Sequence, residues 1–494
     1  MAPHIRTRSG CWTCREAGYK CDEQKPFCGR CIRLKIACKG YEVRFKWKNS
    51  TLGPKTGKRP REGRGLASSV SSASADMSAP GSGSLEERAY LVLPKPALTP
   101  TTSPTLSLRD KQLMHYWIQR LASLLTVAPP NGKPSLFHSH LTAMASEPGA
   151  LQSTILSMSA THLALASSDP SWKIQAYRHQ QNAIILLQKL IQNPLDMHDE
   201  PALATVLMMQ VSARLYSEDD AEPQVVNHLV GAKAILASRR TVSAWLSSSS
   251  ARFLLSLFAY HDILSSISRG TRPLIEHSND FVGIEDDRGL QEIADVLLVV
   301  ARISEMQELK KYERVRPGQQ SVADGNEALG EELEKALLHL DFSRPGQVSP
   351  EACISSHDAV LTAEAFRHAA FIYLYRVWKN IGAPSPHTLY HVERCLSCIE
   401  KVPIDSSLVA SHLWPLWTAG CEAVDTRHRE FVRHRCLEMY RARLFPSWKR
   451  IVRDIEEVWA AKDLEQVVGG EDGMTRVDCI QVILKQRGRE VELA

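Results

Sequence analysis

The six cysteines between Cys11 and Cys38 follow the spacing Cys11-x2-Cys14-x6-Cys21-x6-Cys28-x2-Cys31-x6-Cys38, one C-x2-C-x6-C unit written twice. A C-x2-C step lets two thiolates converge on one ion, and zinc prefers four tetrahedral sulfur ligands at about 2.3 Å. Six thiolates cannot build two separate four-sulfur sites. Two ions are each satisfied only when two of the cysteines bridge them. The pattern therefore predicts a binuclear cluster holding two Zn2+ per chain on Cys11, Cys14, Cys21, Cys28, Cys31 and Cys38, with its halves related by pseudo-symmetry. So short a segment cannot fold on an apolar core, so metal binding must supply much of its folding free energy. The competing reading is a three-disulfide staple. The opening Met1-Ala2-Pro3-His4-Ile5-Arg6-Thr7-Arg8 has no apolar secretory stretch, which favours a reducing compartment and metal ligands over disulfides.

Charge divides the chain at the same place. The formal net charge is only +5, yet Met1 to Arg64 carries 17 Lys and Arg against five acids, a net of +12, leaving −7 for the remainder. Three regions follow. Residues 1–48 are Cys-rich and basic. Residues 49–107 are rich in Ser, Pro, Gly and Ala and too poor in apolar side chains to offset their ordering entropy, which reads as a flexible linker. Residues 108–490 show helical periodicity: Leu113, Trp117, Leu121 and Leu124; Ile184, Leu187 and Ile191; Phe366, Ala370, Tyr373 and Val377. Gly382 and Pro384 supply a stop for the last of these, with glycine as the left-handed cap. No alternating pattern flanks an Asn-Gly or Asp-Gly turn, so the expected body is an all-α helical domain. No uncharged apolar run approaches the ~18 residues of a membrane span.

The N-terminal residues resemble a known family. The basic lead-in Arg6-Thr7-Arg8-Ser9-Gly10, then Cys11-Trp12-Thr13-Cys14-Arg15, Lys20-Cys21-Asp22, Pro26 before Cys28, and Cys31-x-Arg33-Leu34 are similar to the fungal Zn2Cys6 binuclear cluster DNA-binding domain. The resemblance implies that Cys11 and Cys28 bridge the two ions. It also implies sequence-specific binding of duplex DNA, usually at CGG-type triplets, by a short first helix, here about Thr13 to Lys20. The candidate DNA contacts are Arg15, Gly18, Lys20, Arg30, Arg33, Lys35 and Lys39. The chain departs from the pattern at Ala17 and Gly18, where the family carries basic residues. A bidentate base contact is worth ~1–3 kcal/mol, so the resemblance carries DNA binding but not CGG preference. In Arg44-Phe45-Lys46-Trp47-Lys48 cations alternate with aromatics, as in a strand tracking phosphates or an ordinary edge strand. Lys55, Lys58, Arg59, Arg61 and Arg64 form a basic patch suited to nuclear import or added nonspecific DNA affinity.

Four stretches of the body resemble the fungal-specific transcription factor domain of the second type: Ser159-Ala160-Thr161-His162-Leu163-Ala164, His228-Leu229-Val230-Gly231-Ala232, Tyr260-His261-Asp262, and Leu413-Trp414-Pro415-Leu416-Trp417 running on to Ala423. This implies a nuclear transcription regulator whose body meets coactivators or a small-molecule effector. Such regulators often activate metabolic or secondary-metabolite gene clusters or govern drug tolerance. The rival reading, prompted by Ala17 and Gly18, is an interaction scaffold that keeps the zinc fold without sequence reading. Catalytic motifs are missing: there is no G-x-S-x-G elbow, and Gly53-x3-Gly57-Lys58-Arg59 falls one residue short of a phosphate loop. Adjacent His261 and Asp262 point about 100° apart on a helix and do not form a relay, so they read as packing. His387, His391, Cys395 and Cys398 share helical spacing, but four ligands on one straight helix cannot wrap a tetrahedral ion. Residues 49–107 carry no sustained heptads, so a homodimer would have to form through the helical body.

Overall fold

A computed structural model describes residues 11, 13–14, 19–22 and 24 except 23, 28–34, 36, 38, 106–125, 135–192, 199–216, 228–238, 245, 248–277, 288–315, 320–342, 350–468, 478–480, 482–483 and 493. The chain divides into two compact units, Met1–Glu86 and Glu87–Ala494. Most of the 49–107 linker reading, the Arg44 to Lys48 strand reading and the basic patch from Lys55 to Arg64 lie outside the described residues.

Among the described residues of the first unit, Gly29–Arg33 form a short helix, α1. Thr13 and Cys14 are also helical, but Tyr19 and Lys20 are not, so the first helix does not extend to Lys20 as expected. The Tyr19 amide turns back onto the Cys14 carbonyl at 2.9 Å instead of continuing a helical ladder.

The second unit is helical, and no strand occurs among the described residues. It opens with α2 (Leu108–Tyr116), capped by Ser107, whose hydroxyl accepts the Asp110 amide, and continuing through a π-helical turn at Trp117–Leu121. Then follow α3 (Ala150–Ala166), α4 (Ser171–Gln192), α5 (Asp199–Tyr216), α6 (His228–Ser238) and α7 (Ser249–Arg269). The second half comprises α8 (Arg288–Val315), α9 (Gln320–His339), α10 (Pro350–Lys379), α11 (Pro386–Lys401), α12 (Leu413–Cys421), α13 (Thr426–Arg443) and α14 (Ser447–Val468).

Their packing follows from where small residues allow close approach. α3 rests on α4 and α5, while α10 is surrounded by α8, α9, α11 and α12. Ala363, Ala365, Ala369 and Ala370 bring those neighbours close to α10, and Phe366 and Phe371 fill the remaining space. All nine residues of α12 are buried, including Trp414 and Trp417, which explains why this stretch is apolar on every side. Leu113, Trp117 and Leu121 are fully buried as their periodicity predicts.

Two local expectations are corrected. Of the Ile184, Leu187 and Ile191 stripe of α4, Leu187 packs partly against the core, but Ile184 and Ile191 face solvent, because the buried contacts of α4 run through Ala176 and Ala183. At the end of α10 the left-handed residue is Asn380, with φ of 53°, not Gly382. Asparagine tolerates this region better than other residues bearing a side chain. At α7 glycine does take that role: Gly270 at φ 60° returns its N–H to Ser266 and Ile267.

Histidines make the body acid-sensitive. Burial, the leading cause at each site, pulls His162 and His391 down to about 4 and His368 and His412 down to about 3. Their folded values lie below the unfolded ~6.5, so their contribution is complete above pH ~6.5 and is lost as pH falls towards 4. Each histidine is expected to withdraw up to ~1.4 kcal/mol per pH unit across that window. Denaturant midpoints measured at pH 7.5 and 5 should fall accordingly, and equal midpoints would contradict this.

Candidate metal centre and nucleic-acid interface

Each C-x2-C step forms the same turn. The Cys14 amide donates to Cys11 Sγ at 3.5 Å, and the Cys31 amide to Cys28 Sγ at 3.3 Å. The correspondence continues past the turn, since the Cys14 carbonyl accepts from Tyr19 and the Cys31 carbonyl from Ile36. An offset of 17 residues thus carries one half onto the other, as the doubled spacing predicts.

The sulfurs converge. Cys11 Sγ lies 3.6 Å from Cys28 Sγ and 3.9 Å from Cys31 Sγ, and Cys14 Sγ lies 3.7 Å from Cys28 Sγ. A zinc–sulfur bond of 2.3 Å gives a tetrahedral sulfur–sulfur edge of about 3.8 Å, so these separations suit four sulfurs around one ion. They are far longer than the ~2.05 Å of a disulfide, and none of the six cysteines is disulfide-bonded. Two groups of four have every sulfur within 4.8 Å of the others: Cys11, Cys14, Cys21, Cys28, and Cys11, Cys28, Cys31, Cys38. Cys11 and Cys28 belong to both. Eight coordination positions are therefore supplied by six sulfurs, the arrangement that a binuclear centre requires.

The surroundings also fit a metal. Burial pushes the Cys28 thiol up to about 12 and Cys11 further still, so these sulfurs need a cation among them to become thiolates. Arg30 adds a guanidinium donor 3.8 Å from Cys14 Sγ.

Asp22 enters the sequence reading only within the Lys20-Cys21-Asp22 stretch of the resemblance and without a role, yet it holds the second half together. Its carboxylate accepts the amides of Gly29 at 2.9 Å, Arg30 at 2.7 Å and Gln24 at 3.4 Å, closing the start of α1. What little desolvation Asp22 suffers would raise its pKa, but these amides and Arg33 hold it below its ordinary value. A Cβ on Gly29 would come within 2.9 Å of that carboxylate, so glycine is what admits the cap. The one sequence cue was an acid between the third and fourth cysteines.

Among the expected DNA contacts, Lys20 and Arg33 are exposed, the latter in the last turn of α1. Arg30 is half-buried and lies 4.0 Å over the Tyr19 ring, which fixes it against the cluster. Arg15, Gly18, Lys35 and Lys39 lie outside the described residues.

The helical body assigns its motif residues to packing. His261 faces Arg214, with Nδ1 2.6 Å from a guanidinium nitrogen, while Asp262 accepts from the Leu274 and Ile275 amides, Arg269 and His277. They belong to different networks. His162 joins Tyr116 Oη at 2.7 Å to the Arg443 carbonyl at 2.8 Å. His391 pairs with His368 at 2.8 Å, whereas the Cys395 thiol donates to the Ala365 and Pro415 carbonyls, so these residues do not converge on an ion. Among the described residues only the two cysteine groups have metal-binding spacing, and no helix is long and apolar enough to cross a membrane.

Comparisons with known proteins bear on both units. The model of the fungal Zn(2)-Cys(6) binuclear cluster domain matches residues 9–48, and that of the fungal specific transcription factor domain matches residues 112–493. Pestheic acid cluster transcriptional regulator 3 of Pestalotiopsis fici is 47% identical over 47 residues, 10% of this chain and 8% of that protein. Arginine metabolism regulation protein II of Saccharomyces cerevisiae is 43% identical over 42 residues, 8% of this chain and 5% of that protein. White-opaque regulator 2 of Candida albicans is 57% identical over 37 residues, 8% of each chain. The matched stretches thus span under a tenth of these relatives. No solved structure matches the chain. With one model covering the zinc-binding, DNA-binding head and another most of the helical body, the chain belongs to the fungal-specific transcription factors that carry a Zn2Cys6 cluster.

Proposed function

We propose that this chain is a nuclear, zinc-dependent regulator of RNA polymerase II genes, activating a metabolic or secondary-metabolite gene cluster, with no catalytic activity of its own. The observation that carries the reading is the pair of four-sulfur groups sharing Cys11 and Cys28. Two Zn2+ would be held there, with Cys11 and Cys28 as the bridges and Cys14, Cys21, Cys31 and Cys38 as the terminal ligands. Bound there, the metal would offset most of the thiolate charge, and the six cysteines would close the fold around it. Two dications against six thiolates leave the cluster at −2 and the head near +10, still strongly attractive to phosphates.

Exposed Lys20 and Arg33 would meet the DNA backbone, together with Arg15, Lys35 and Lys39, while the backbone at Gly18 would approach the bases. Lys55, Lys58, Arg59, Arg61 and Arg64 would serve nuclear import, and the helical body would receive coactivators, an effector or a second copy of the chain. Support for the pathway class comes from two relatives whose names concern a pestheic acid cluster and arginine metabolism.

Selection of bound sequences from random duplexes by the zinc-loaded full chain, repeated across a salt series, tests the reading. An enriched motif whose affinity falls steeply with salt is expected. Uniform recovery of all sequences would favour the scaffold reading instead. Elemental analysis should find two zinc ions per chain.

A further inference from the structure

The solvent side of α4 carries five large apolar side chains. Ile174, Tyr177, Ile184, Ile185 and Ile191 are each between 41% and 66% exposed. Exposed hydrophobics scattered singly are ordinary, but these lie along one helix. Positions 174, 177, 181, 184, 188 and 191 advance by alternate steps of three and four, the spacing of a seam that packs on another helix. Tyr177, Ile184 and Ile191 form one row of that seam, and Ile174, Gln181 and Gln188 the other, with Ile185 beside the second.

The rotation that turns this seam outward is fixed from below. The Ser157 hydroxyl of α3 donates to the Ala176 carbonyl at 2.9 Å, and the Asn182 amide donates to the Ser153 hydroxyl at 2.8 Å. His179 meets Asp110 of α2 at 3.0 Å. With Ala176 and Ala183 buried against the core, α4 cannot roll its isoleucines inward without losing these contacts.

Charge says what the seam would accept. α4 contains no Asp or Glu. Lys173 borders the row of Tyr177, while Arg178 and Lys189 border the row of Ile174, and all three are exposed. Among the described residues no carboxylate pairs with them: Asp110 is taken up by His179, and Asp169 by the amide and hydroxyl of Ser171. A second copy of α4 would bring the same three cations and no acid to answer them. A lipid surface asks for a broad apolar face, which Gln181 and Gln188 interrupt, whereas a polar residue within a helical seam finds its partner on the facing helix.

We propose that this face of α4 docks an acidic amphipathic helix of a partner protein. Its apolar side chains would lie between the two rows, and its Asp and Glu would meet Lys173, Arg178 and Lys189. From Ile174 to Ile191 the seam is about 26 Å long, which suits an occupant of about five helical turns. The proposal rests on the helical body being the regulatory part of the chain, and it names the chemistry of the protein that such a part would receive.

The probe is a labelled three-heptad peptide with Leu at its seam positions and Glu beside them, and its control is a twin with Lys in place of Glu. Fluorescence anisotropy with the zinc-loaded full chain should show saturable binding of the acidic peptide, about tenfold or more tighter than the basic one and weaker as salt rises. The basic head also attracts acids, so variants assign the contact to α4. Ile184→Ser with Ile191→Ser should weaken the acidic peptide by about tenfold or more, while helical circular dichroism stays unchanged because both side chains are exposed. Lys173→Glu, Arg178→Glu and Lys189→Glu together should turn the preference towards the basic peptide. No saturable binding, equal affinity for the two peptides, or undiminished binding of the acidic peptide in either set of variants would overturn the proposal. So would a concentration-dependent dimer in light scattering, or binding to phosphatidylserine vesicles, that the isoleucine substitutions remove, because a second copy or a lipid surface would then be the occupant. No readout involves DNA, so failure here and failure of the regulator reading are separable.

Discussion

Replacing Cys28 with alanine is expected to strip both metal ions from the chain and abolish specific DNA binding. Cys28 Sγ belongs to both four-sulfur groups, lies 3.6 Å from Cys11 Sγ and 3.7 Å from Cys14 Sγ, and accepts the Cys31 amide that opens α1. Its loss leaves three sulfurs for each ion and an uncapped helix. A head of this size has no apolar core to fall back on, so loss of the cluster is loss of the fold. Cys38 makes the useful contrast, because it is half-buried and belongs to one group only. Cys38→Ala should retain about one ion. Elemental analysis and DNA titration at fixed salt should find close to no zinc in Cys28→Ala and affinity reduced ~10³-fold or more, to the nonspecific level. Two ions retained by Cys28→Ala would rule out bridging by this residue.

The cluster was legible because its determinants are local and combinatorial. Six sulfurs at a doubled spacing admit one way of serving two tetrahedral ions, and the resemblance named Cys11 and Cys28 as the shared pair that the sulfur geometry also shares. The helical class of the body was legible for a similar reason, since periodicity is a property of neighbours in sequence. What periodicity cannot say is which stripe meets which neighbour. The α4 isoleucines and the buried alanines of the same helix are equally consistent with an amphipathic pattern, and only the approach of α3 decides between them. Likewise the contact of His162 with the Arg443 carbonyl crosses 281 positions, and a cavity beside Arg443 is lined from helices far apart in sequence. Asp22 lay between these extremes: its distance from α1 is short, but a lone acid carries no periodic or metal-ligand signal.

Glu422→Ala is expected to destabilise the helical body by ~3–5 kcal/mol, the usual cost of removing one partner from a buried ion pair. Glu422 follows α12, and its carboxylate meets Arg376 of α10 at 2.6 Å, Lys462 of α14 at 2.7 Å and the Ala383 amide at 2.8 Å. Burial would raise its pKa, but Lys462 and Arg376 overcome this and hold it below the ordinary carboxylate value. Alanine leaves Arg376 and Lys462 in the interior without the carboxylate that they share. Glutamine keeps the shape and one acceptor oxygen, so Glu422→Gln should cost less than alanine while still removing the negative charge between the two cations. The folded pKa is depressed, so this stabilisation is present above the unfolded value of ~4.3 and is lost as pH falls through the folded value. The gap between the variant and the unmodified chain should therefore be widest near pH 7 and narrow below pH 4. Urea denaturation of the full chain followed by helical circular dichroism measures both. A change under ~1 kcal/mol at pH 7 would mean that the two cations find other partners. Zinc content should stay at the unmodified level throughout, because the damage is confined to the helical unit.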